Sequence, residues 1–192
     1  MEQGYIRLAV EDDIPQIQQI FSEHATGQYA KEKPIELLDK KEKTQYPFVY
    51  VVSDVVGIMS IEICEEKTIT DSIKCHTDIS FPDSEYGVLN SGYVLNKYRG
   101  RGIGSDLLQS CIERAKHQGC TSIFAEVFSK TGDEHDSRGI LEKHGFNQIF
   151  YHPEYYKEYF NTDIKEECLG CSNMVNECTC DGYVYKKEIT QT

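Results

Sequence analysis

The chain lacks tryptophan, long apolar stretches and an excess of basic residues, and the last two absences each exclude a class of protein. No apolar run approaches the ~18 residues of a membrane-spanning helix, so we expect no membrane partner. Lys and Arg number 20 against 32 Asp and Glu, giving a net charge of −12. Nucleic-acid binding draws on basic patches, and this balance argues against it. An acidic surface favours cationic partners such as amines, and it also serves solubility.

The first residues, MEQGYIRLAVEDD, contain neither the basic patch nor the apolar core of a signal peptide. We therefore expect a cytoplasmic protein. The length of 192 residues suits one ordinary domain with its own core, so we expect a single domain over 1–192. Nothing in the sequence decides the oligomeric state, for which a dimer is one option.

Strand and helix patterns alternate along the chain, which predicts a mixed α/β fold. Apolar alternation predicts strands over 4–10, 47–53, 55–64, 88–95, 122–128, 146–151 and 182–189. Apolar periodicity predicts helices from Asp12 or Asp13 to about 21, and over 34–44, 105–118 and 136–144. The short turn at Ser53-Asp54 predicts an antiparallel hairpin between the second and third strands.

A glycine-rich loop follows the strand at 88–95 and opens the helix at 105–118. Glycines at such a junction allow close approach of a ligand, and the N–H groups of the first helical turn attract an anion. Arg99 and Arg101 add positive charge, so a phosphate group is the expected guest. A Walker A loop needs Gly-Lys-Ser/Thr, which is absent, and the spacing does not match a dinucleotide fingerprint. Taken alone, the loop also allows an ordinary glycine-rich turn.

The run Arg99-Gly100-Arg101-Gly102-Ile103-Gly104 resembles the Gln/Arg-x-x-Gly-x-Gly/Ala signature of the GCN5-related N-acetyltransferase (GNAT) family. Residues 6–21 resemble the first strand and helix of that family. EVF at 126–128 and ILEKHGF at 140–146 resemble its later motif. The resemblance covers roughly residues 5–151. It implies a mostly antiparallel central sheet flanked by helices.

The resemblance also implies a site for acetyl-CoA. The pyrophosphate would rest on the loop amides, and the pantetheine arm would pair with the strand that precedes the loop. The thioester would enter a gap between that strand and the one at 122–128. The residues assigned to acetyl-CoA in this way are Tyr93, Val94, Arg99, Gly100, Arg101, Gly102, Ile103, Gly104 and Ser105.

Acetyl transfer to an amine requires a base that removes the ammonium proton. Glu126 is the first candidate, because some members of the family that acetylate protein N-termini carry a Glu on the same strand. Glu85 and Glu62 are weaker candidates, since neither lies in a matching motif. The structural alternative for Glu126 is a surface carboxylate on a half-buried strand.

The family often places a catalytic Tyr five residues before the Phe of its Gly-Phe pair. That position holds Leu141 here, so the usual acid is missing. Either the thiolate leaves without help, or a phenol from the following aromatic stretch, Tyr155 or Tyr156, donates the proton. The alternative role for both tyrosines is packing.

Four of the eight cysteines, Cys168, Cys171, Cys178 and Cys180, lie within thirteen residues. Four thiolates at this spacing suit a closed, tetrahedral Zn²⁺ site with a structural role. We therefore predict a zinc knuckle over 163–182, inserted before the last strand. An iron–sulfur cluster and plain reduced thiols remain open alternatives.

Together these features predict an acetyl-CoA-dependent N-acetyltransferase. Its acceptor would be a primary amine, either of a peptide or protein or of a small cationic molecule. The missing Tyr and the predicted knuckle leave a different class open, namely a non-catalytic module that binds acyl-CoA or a protein partner.

Overall fold

The protein is described from a computed structural model that covers residues 4–25, 27–39, 44–64, 79, 81, 84–130, 137–155 and 179–190. Its strands are β1 (Tyr5–Leu8), β2 (Gln45–Val51), β3 (Val55–Cys64), β4 (Tyr86–Val94), β5 (Ser122–Lys130), β6 (Asn147–His152) and β7 (Cys180–Glu188). Its helices are α1 (Ile14–Ser22), α2 (Tyr29–Glu36), α3 (Ile103–His117) and α4 (Arg138–Lys143).

The strands form one sheet in the order β1-β2-β3-β4-β5-β7-β6. Of the strand pairs in the described chain, β4 and β5 alone run parallel. The predicted hairpin is confirmed, since β2 and β3 pair antiparallel across the turn at Ser53-Asp54. The expected mixed fold, with a mostly antiparallel sheet flanked by helices, is therefore confirmed.

Helix α3 forms where the apolar residues recur at helical spacing. Leu107, Leu108, Cys111, Ile112 and Ala115 are all buried along it. Gly57 on β3 allows the helix to approach the sheet closely, because a Cβ there would lie 3.1 Å from Ile103. The helix ends before Gly119, which adopts a positive φ of +80°.

Helix α1 and helix α3 cover opposite faces of the sheet. Gly57 contacts α3, and the next residue, Ile58, points to the other face because strand side chains alternate. The cross-strand partner of Ile58 is Tyr93, whose ring packs edge-on against Phe21 of α1 at 4.8 Å. We call these two sides the α3 face and the α1 face.

Helix α1 is joined to β1 by a bidentate ion pair. The guanidinium of Arg7 donates to the two carboxylate oxygens of Asp13 at 2.6 and 2.8 Å. The carboxylate also accepts from the Val10 amide at 2.8 Å. Arg7 therefore holds the pKa of Asp13 below its usual value, despite the burial of that carboxyl group.

Helix α2 lies earlier than the sequence predicted, at Tyr29–Glu36 instead of 34–44. Its first turns contain strong helix formers, with a side-chain hydrogen bond from Gln28 to Glu32. Pro34 lies inside the helix, near its C-terminal end. Leu37, which the predicted helix would have included, is buried directly after the end of α2. No helix in the described part of the chain is long and apolar enough to cross a membrane.

Candidate active site

The two parallel strands part at the centre of the sheet. Their ladder runs from Tyr86–Ser122 to Leu89–Ala125 and ends there. Beyond it, β4 stays paired with β3 as far as Val94, and β5 stays paired with β7 as far as Lys130. The facing edges at 90–94 and 126–130 therefore diverge while their outer edges stay bonded. We call this gap the wedge; backbone groups that face it are outside the sheet ladder.

The glycine loop stands at the end of β4 that borders the wedge. Gly100 and Gly102 have φ of +73° and +85°, a region that residues with a Cβ rarely adopt. Apart from its chain neighbours, no atom of the described residues lies within 4 Å of the position of a Cβ at either glycine, so the loop surface is open toward the described part of the chain. Helix α3 starts directly after Gly102, and the first N–H groups of a helix have no acceptor within it. The loop thus presents unshared amides to an anion.

The two arginines of the loop are both held in place by neutral groups. Arg101 donates to the Lys97 carbonyl at 3.0 Å, with its guanidinium 5.0 Å from the centre of the Tyr98 ring. Arg99 donates to Nδ1 of His24 at 3.1 Å. Neither of these contacts places a carboxylate on the guanidinium groups, so their positive charge is directed to an anion at the loop.

His24, which follows α1, ties the loop to the end of β4. Its Nε2 donates to the Val94 carbonyl at 3.0 Å, and its ring stacks on Tyr93 at 5.2 Å. Donation from Nε2 and acceptance at Nδ1 together require the neutral ring. Burial, and then the nearby Arg99 charge, lower the pKa of His24 below 6.5, which favours that neutral form. One of the polar groups predicted for the pantetheine arm, the carbonyl of Val94, is thus already bonded to His24.

Glu126 is the first residue of β5 beyond the parallel ladder. It lies opposite Val184 of β7 and is half-buried. Strand alternation places Phe124, Glu126 and Phe128 on the α1 face, and Ala125 and Val127 on the α3 face. The carboxylate therefore stands where the wedge opens, on the face opposite α3 and the N-terminal turn that begins it.

The family profile described as Acetyltransferase (GNAT) family matches residues 14–146, most of the chain. This protein belongs to the GNAT acetyltransferase family. As a member of this family, the protein is an acyltransferase. The family match includes the strand, glycine loop and helix that border the wedge.

Solved structures show the same fold at low sequence identity. NAA60 of Arabidopsis thaliana, in complex with a bisubstrate analogue, is 14% identical with a TM-score of 0.70, covering 99% of this chain and 100% of that one. The ribosomal-protein-S18-alanine N-acetyltransferase of Escherichia coli is 14% identical with a TM-score of 0.66, covering 99% and 96%. The ribosomal-protein-alanine N-acetyltransferase of Brucella melitensis is 18% identical with a TM-score of 0.62, covering 96% and 99%. No curated protein matches this chain in sequence.

The position at which GNAT proteins often have a catalytic Tyr is occupied here by Leu141 and is buried. The Leu141 side chain is only 4% exposed and belongs to the main core. Tyr155 lies on the α1 face, where its ring covers Gly182 and packs against Phe128 at 5.2 Å. It lies on the same face as Glu126, but it is level with Phe128, two residues farther along β5, and it is 5% exposed. Tyr156 lies outside the described residues.

The predicted zinc knuckle falls almost wholly outside the described residues. Cys168, Cys171 and Cys178 are not described, and Cys180 begins β7 opposite Lys130 of β5. Within the described ranges, no three His, Cys, Asp or Glu side chains are grouped to hold a metal ion. The knuckle therefore stays a prediction.

Three side-chain pairs of the site were not found from the sequence. They are His24 with Arg99, Ser105 with His144 at 2.5 Å, and Glu62 with Asn90 at 3.1 Å. Each joins segments far apart in the chain, and no local motif marks such a pair. Burial, followed by the charges of Lys143 and Lys187, lowers the pKa of His144, so a neutral ring faces the Ser105 hydroxyl at the start of α3.

Proposed function

We propose that this protein transfers the acetyl group of acetyl-CoA to a primary amine. The observation that carries the proposal is the wedge, where β4 and β5 part next to an open glycine loop. A thioester placed between the strands would meet backbone N–H groups that lie outside the sheet ladder. Such groups can stabilise the negative charge that develops on a carbonyl oxygen during acyl transfer.

The residues present suit a pyrophosphate at the loop. The turn from Gly100 to Gly102 leaves open space where side chains would stand, and α3 contributes its first amides. Arg99 and Arg101 add two positive charges. Tyr93, Val94, Ile103, Gly104 and Ser105 complete the predicted acetyl-CoA set, and Ser105 is backed by His144.

Glu126 is proposed to take the proton of the acceptor ammonium, directly or through water. The neutral nitrogen then attacks the thioester carbonyl carbon, forming a C–N bond as the C–S bond breaks. The departing thiolate takes a proton and leaves as a thiol. Tyr155 and Tyr156 remain the candidate donors of that proton, since Leu141 has none to give. Holding both reactants in one gap supplies much of the rate, because the reaction becomes effectively unimolecular.

A structural Zn²⁺ bound by the four clustered cysteines and a cytoplasmic location both belong to this proposal. The zinc site rests on the Cys-x2-Cys and Cys-x-Cys spacing. A single domain over 1–192 is proposed because the length of the sequence suits one ordinary domain, and the cysteine spacing places the knuckle at 163–182.

An acceptor screen tests the proposed reaction. Purified protein is incubated with acetyl-CoA and a panel of peptides and small amines, and thiol release is followed alongside product mass. We expect a gain of one acetyl group on at least one amine, matched by release of one thiol. Tight binding of acetyl-CoA with no amine acetylated would favour the non-catalytic acyl-CoA module.

A further inference from the structure

Five polar side chains form one band across the α1 face, at the level where the wedge opens. Ser60 and Glu62 belong to β3, Asn90 and Ser91 to β4, and Glu126 to β5. We refer to these five residues as the polar band.

Strand register places the members of the band side by side. Ser60 lies directly opposite Ser91, and Glu62 lies opposite Val88. Val88 is in turn level with Phe124 on β5, so Glu126 is two residues farther along. Because side chains alternate along a strand, Ser60, Glu62, Ser91 and Glu126 all point to the α1 face.

A β-bulge brings Asn90 into the band. The register of β3 against β4 shifts between Ser60 and Ile61, which leaves Asn90 as the extra residue. Its amide group donates to the Glu62 carboxylate at 3.1 Å. The bulge therefore occurs at the start of the wedge and turns a carboxamide toward the α1 face.

Apolar side chains border the band on both sides. On one side, Tyr93 packs against Phe21. On the other side lies a separate buried cluster made of Cys64, Tyr86, Val88, Phe124 and Val184. Burial, and then the Glu62 carboxylate, raise the pKa of the Cys64 thiol to about 12, so this thiol is uncharged at neutral pH. The band therefore lies between two groups of apolar side chains on the α1 face.

The two serine hydroxyls of the band are buried without a partner. Ser60 is 0% exposed and Ser91 is 7% exposed. Neither hydroxyl has a hydrogen-bond partner within the described part of the chain. Buried polar groups are nearly always bonded, so an unsatisfied pair beside two carboxylates indicates a site that a polar ligand completes.

We propose that the polar band binds the acceptor, and that it selects amines that carry a second hydrogen-bond donor, a hydroxyl or an ammonium group. This inference rests on the proposed acetyl transfer and adds the class of acceptor to it. The reacting amine lies at Glu126. The second donor lies one strand away, on β4, at Ser91 and at Asn90, which is itself bonded to Glu62 of β3. Neighbouring strands are roughly 4.8 Å apart and diverge here, so a four-carbon spacer between the two groups suits the span.

Three acceptors with equal numbers of heavy atoms test this selection. They are 1-aminopentane, 4-amino-1-butanol and 1,4-diaminobutane, each assayed for kcat/KM with saturating acetyl-CoA. We expect the amino alcohol and the diamine to exceed 1-aminopentane at least tenfold. Ser91→Ala, Ser60→Ala and Glu62→Gln should each reduce that ratio to threefold or less, and 1-aminopentane should be affected least.

Ser110→Ala on α3 is the matched control, because its hydroxyl bonds only within its own helix, to the Asp106 carbonyl. It should leave the ratio unchanged. Melting temperature is recorded for every variant, and Glu62→Gln provides a band variant that does not alter the serines if either alanine variant fails to fold.

The possible results separate the inference from the reaction. Alanine variants that melt higher with an unchanged ratio would show that the serines are only a tolerated defect in packing, and would overturn the inference. Equal rates with the three amines, or acetylation of peptides alone, would overturn it as well while leaving acetyl transfer intact. A chain that acetylates no amine would contradict both.

Discussion

At the scale of single side chains, Glu126 is the residue on which the proposed chemistry depends most. An alkyl ammonium with a pKa near ~10 must lose a proton before its nitrogen can attack. Glu126→Gln keeps the shape and removes the base, so kcat/KM should fall by roughly 10²–10⁴. Acetyl-CoA affinity, measured by calorimetry, should barely change because the glycine loop lies on another element.

A matched variant tests whether removing a carboxylate elsewhere in the protein lowers kcat/KM to the same extent. Glu113→Gln removes a carboxylate from α3, where Glu113 bonds to Gln109 of the same helix. It should retain full activity. If Glu126→Gln keeps its activity and the acidic limb of its pH–rate profile is unshifted, the base is Glu62, Glu85 or water.

Gly102 is the residue of the loop most sensitive to a side chain. Its φ of +85° disfavours any Cβ, and that Cβ would point into the open space proposed for the pyrophosphate. Gly102→Val should weaken acetyl-CoA binding at least tenfold, about 1.4 kcal/mol, as measured by isothermal titration.

A variant at Gly119, at the opposite end of the same helix, tests whether backbone strain alone explains the effect at Gly102. Gly119 has a comparable φ of +80° but lies after the C-terminus of α3. Gly119→Val should lower the melting temperature and leave acetyl-CoA affinity unchanged. Equal losses of affinity in the two variants would mean that strain, and not contact with the ligand, explains the effect at Gly102.

At the scale of elements, the end of α1 is coupled to the glycine loop through His24. Its pKa is lowered, so the ring stays neutral at pH 7 and gains a proton only below 6.5. Protonation removes the Nδ1 acceptor of Arg99 and sets two positive charges together. Acetyl-CoA affinity should therefore fall as the pH drops below 6.5. The contribution of His24 to stability should fall in the same range, because the unfolded chain binds that proton more readily.

His24→Phe keeps a ring against Tyr93 and removes both nitrogens. We expect about fivefold weaker acetyl-CoA binding at neutral pH, the loss of roughly one hydrogen bond, and a flatter dependence on pH. His144 titrates in the same direction beside Ser105, so His144→Asn is measured in parallel. A pH dependence that persists in His24→Phe and vanishes in His144→Asn would assign the effect to the other histidine.

Elements with strong local periodicity could be predicted closely from the sequence. The hairpin of β2 and β3 and helix α3 lie within about two residues of their expected bounds, because apolar spacing and turn residues are local signals. The bounds of helix α2 could not be predicted closely. The sequence pattern of Leu37 and Leu38 indicates the apolar face of a helix, but they pack against the core beyond its end. The partner of Glu62 could not be predicted either, because it depends on the bulge at Asn90.

At the scale of the whole molecule, the cysteine cluster is the largest prediction left to test. Purified protein should contain about one Zn²⁺ per chain by elemental analysis. Cys171→Ser should lower the metal content and the melting temperature together, because metal binding and folding are coupled. Cys111→Ser is the control for metal content, which it should leave unchanged, because that thiol is buried on α3 and is not one of the four clustered cysteines. Metal-free protein of equal stability would contradict the prediction.

The order of strands also bears on how the protein is made. β7 enters the sheet between β5 and β6, although it follows both of them in the described chain. Until β7 has been synthesised, the four-residue ladder with β4 is the one strand pairing of β5 in the described chain, and it ends one residue before Glu126. Nascent chains ending at residue 179 should thus be cleaved readily by proteases within 122–130, whereas chains extending through 190 should resist. Glu126 would therefore reach its place at the wedge only after β7 has been synthesised.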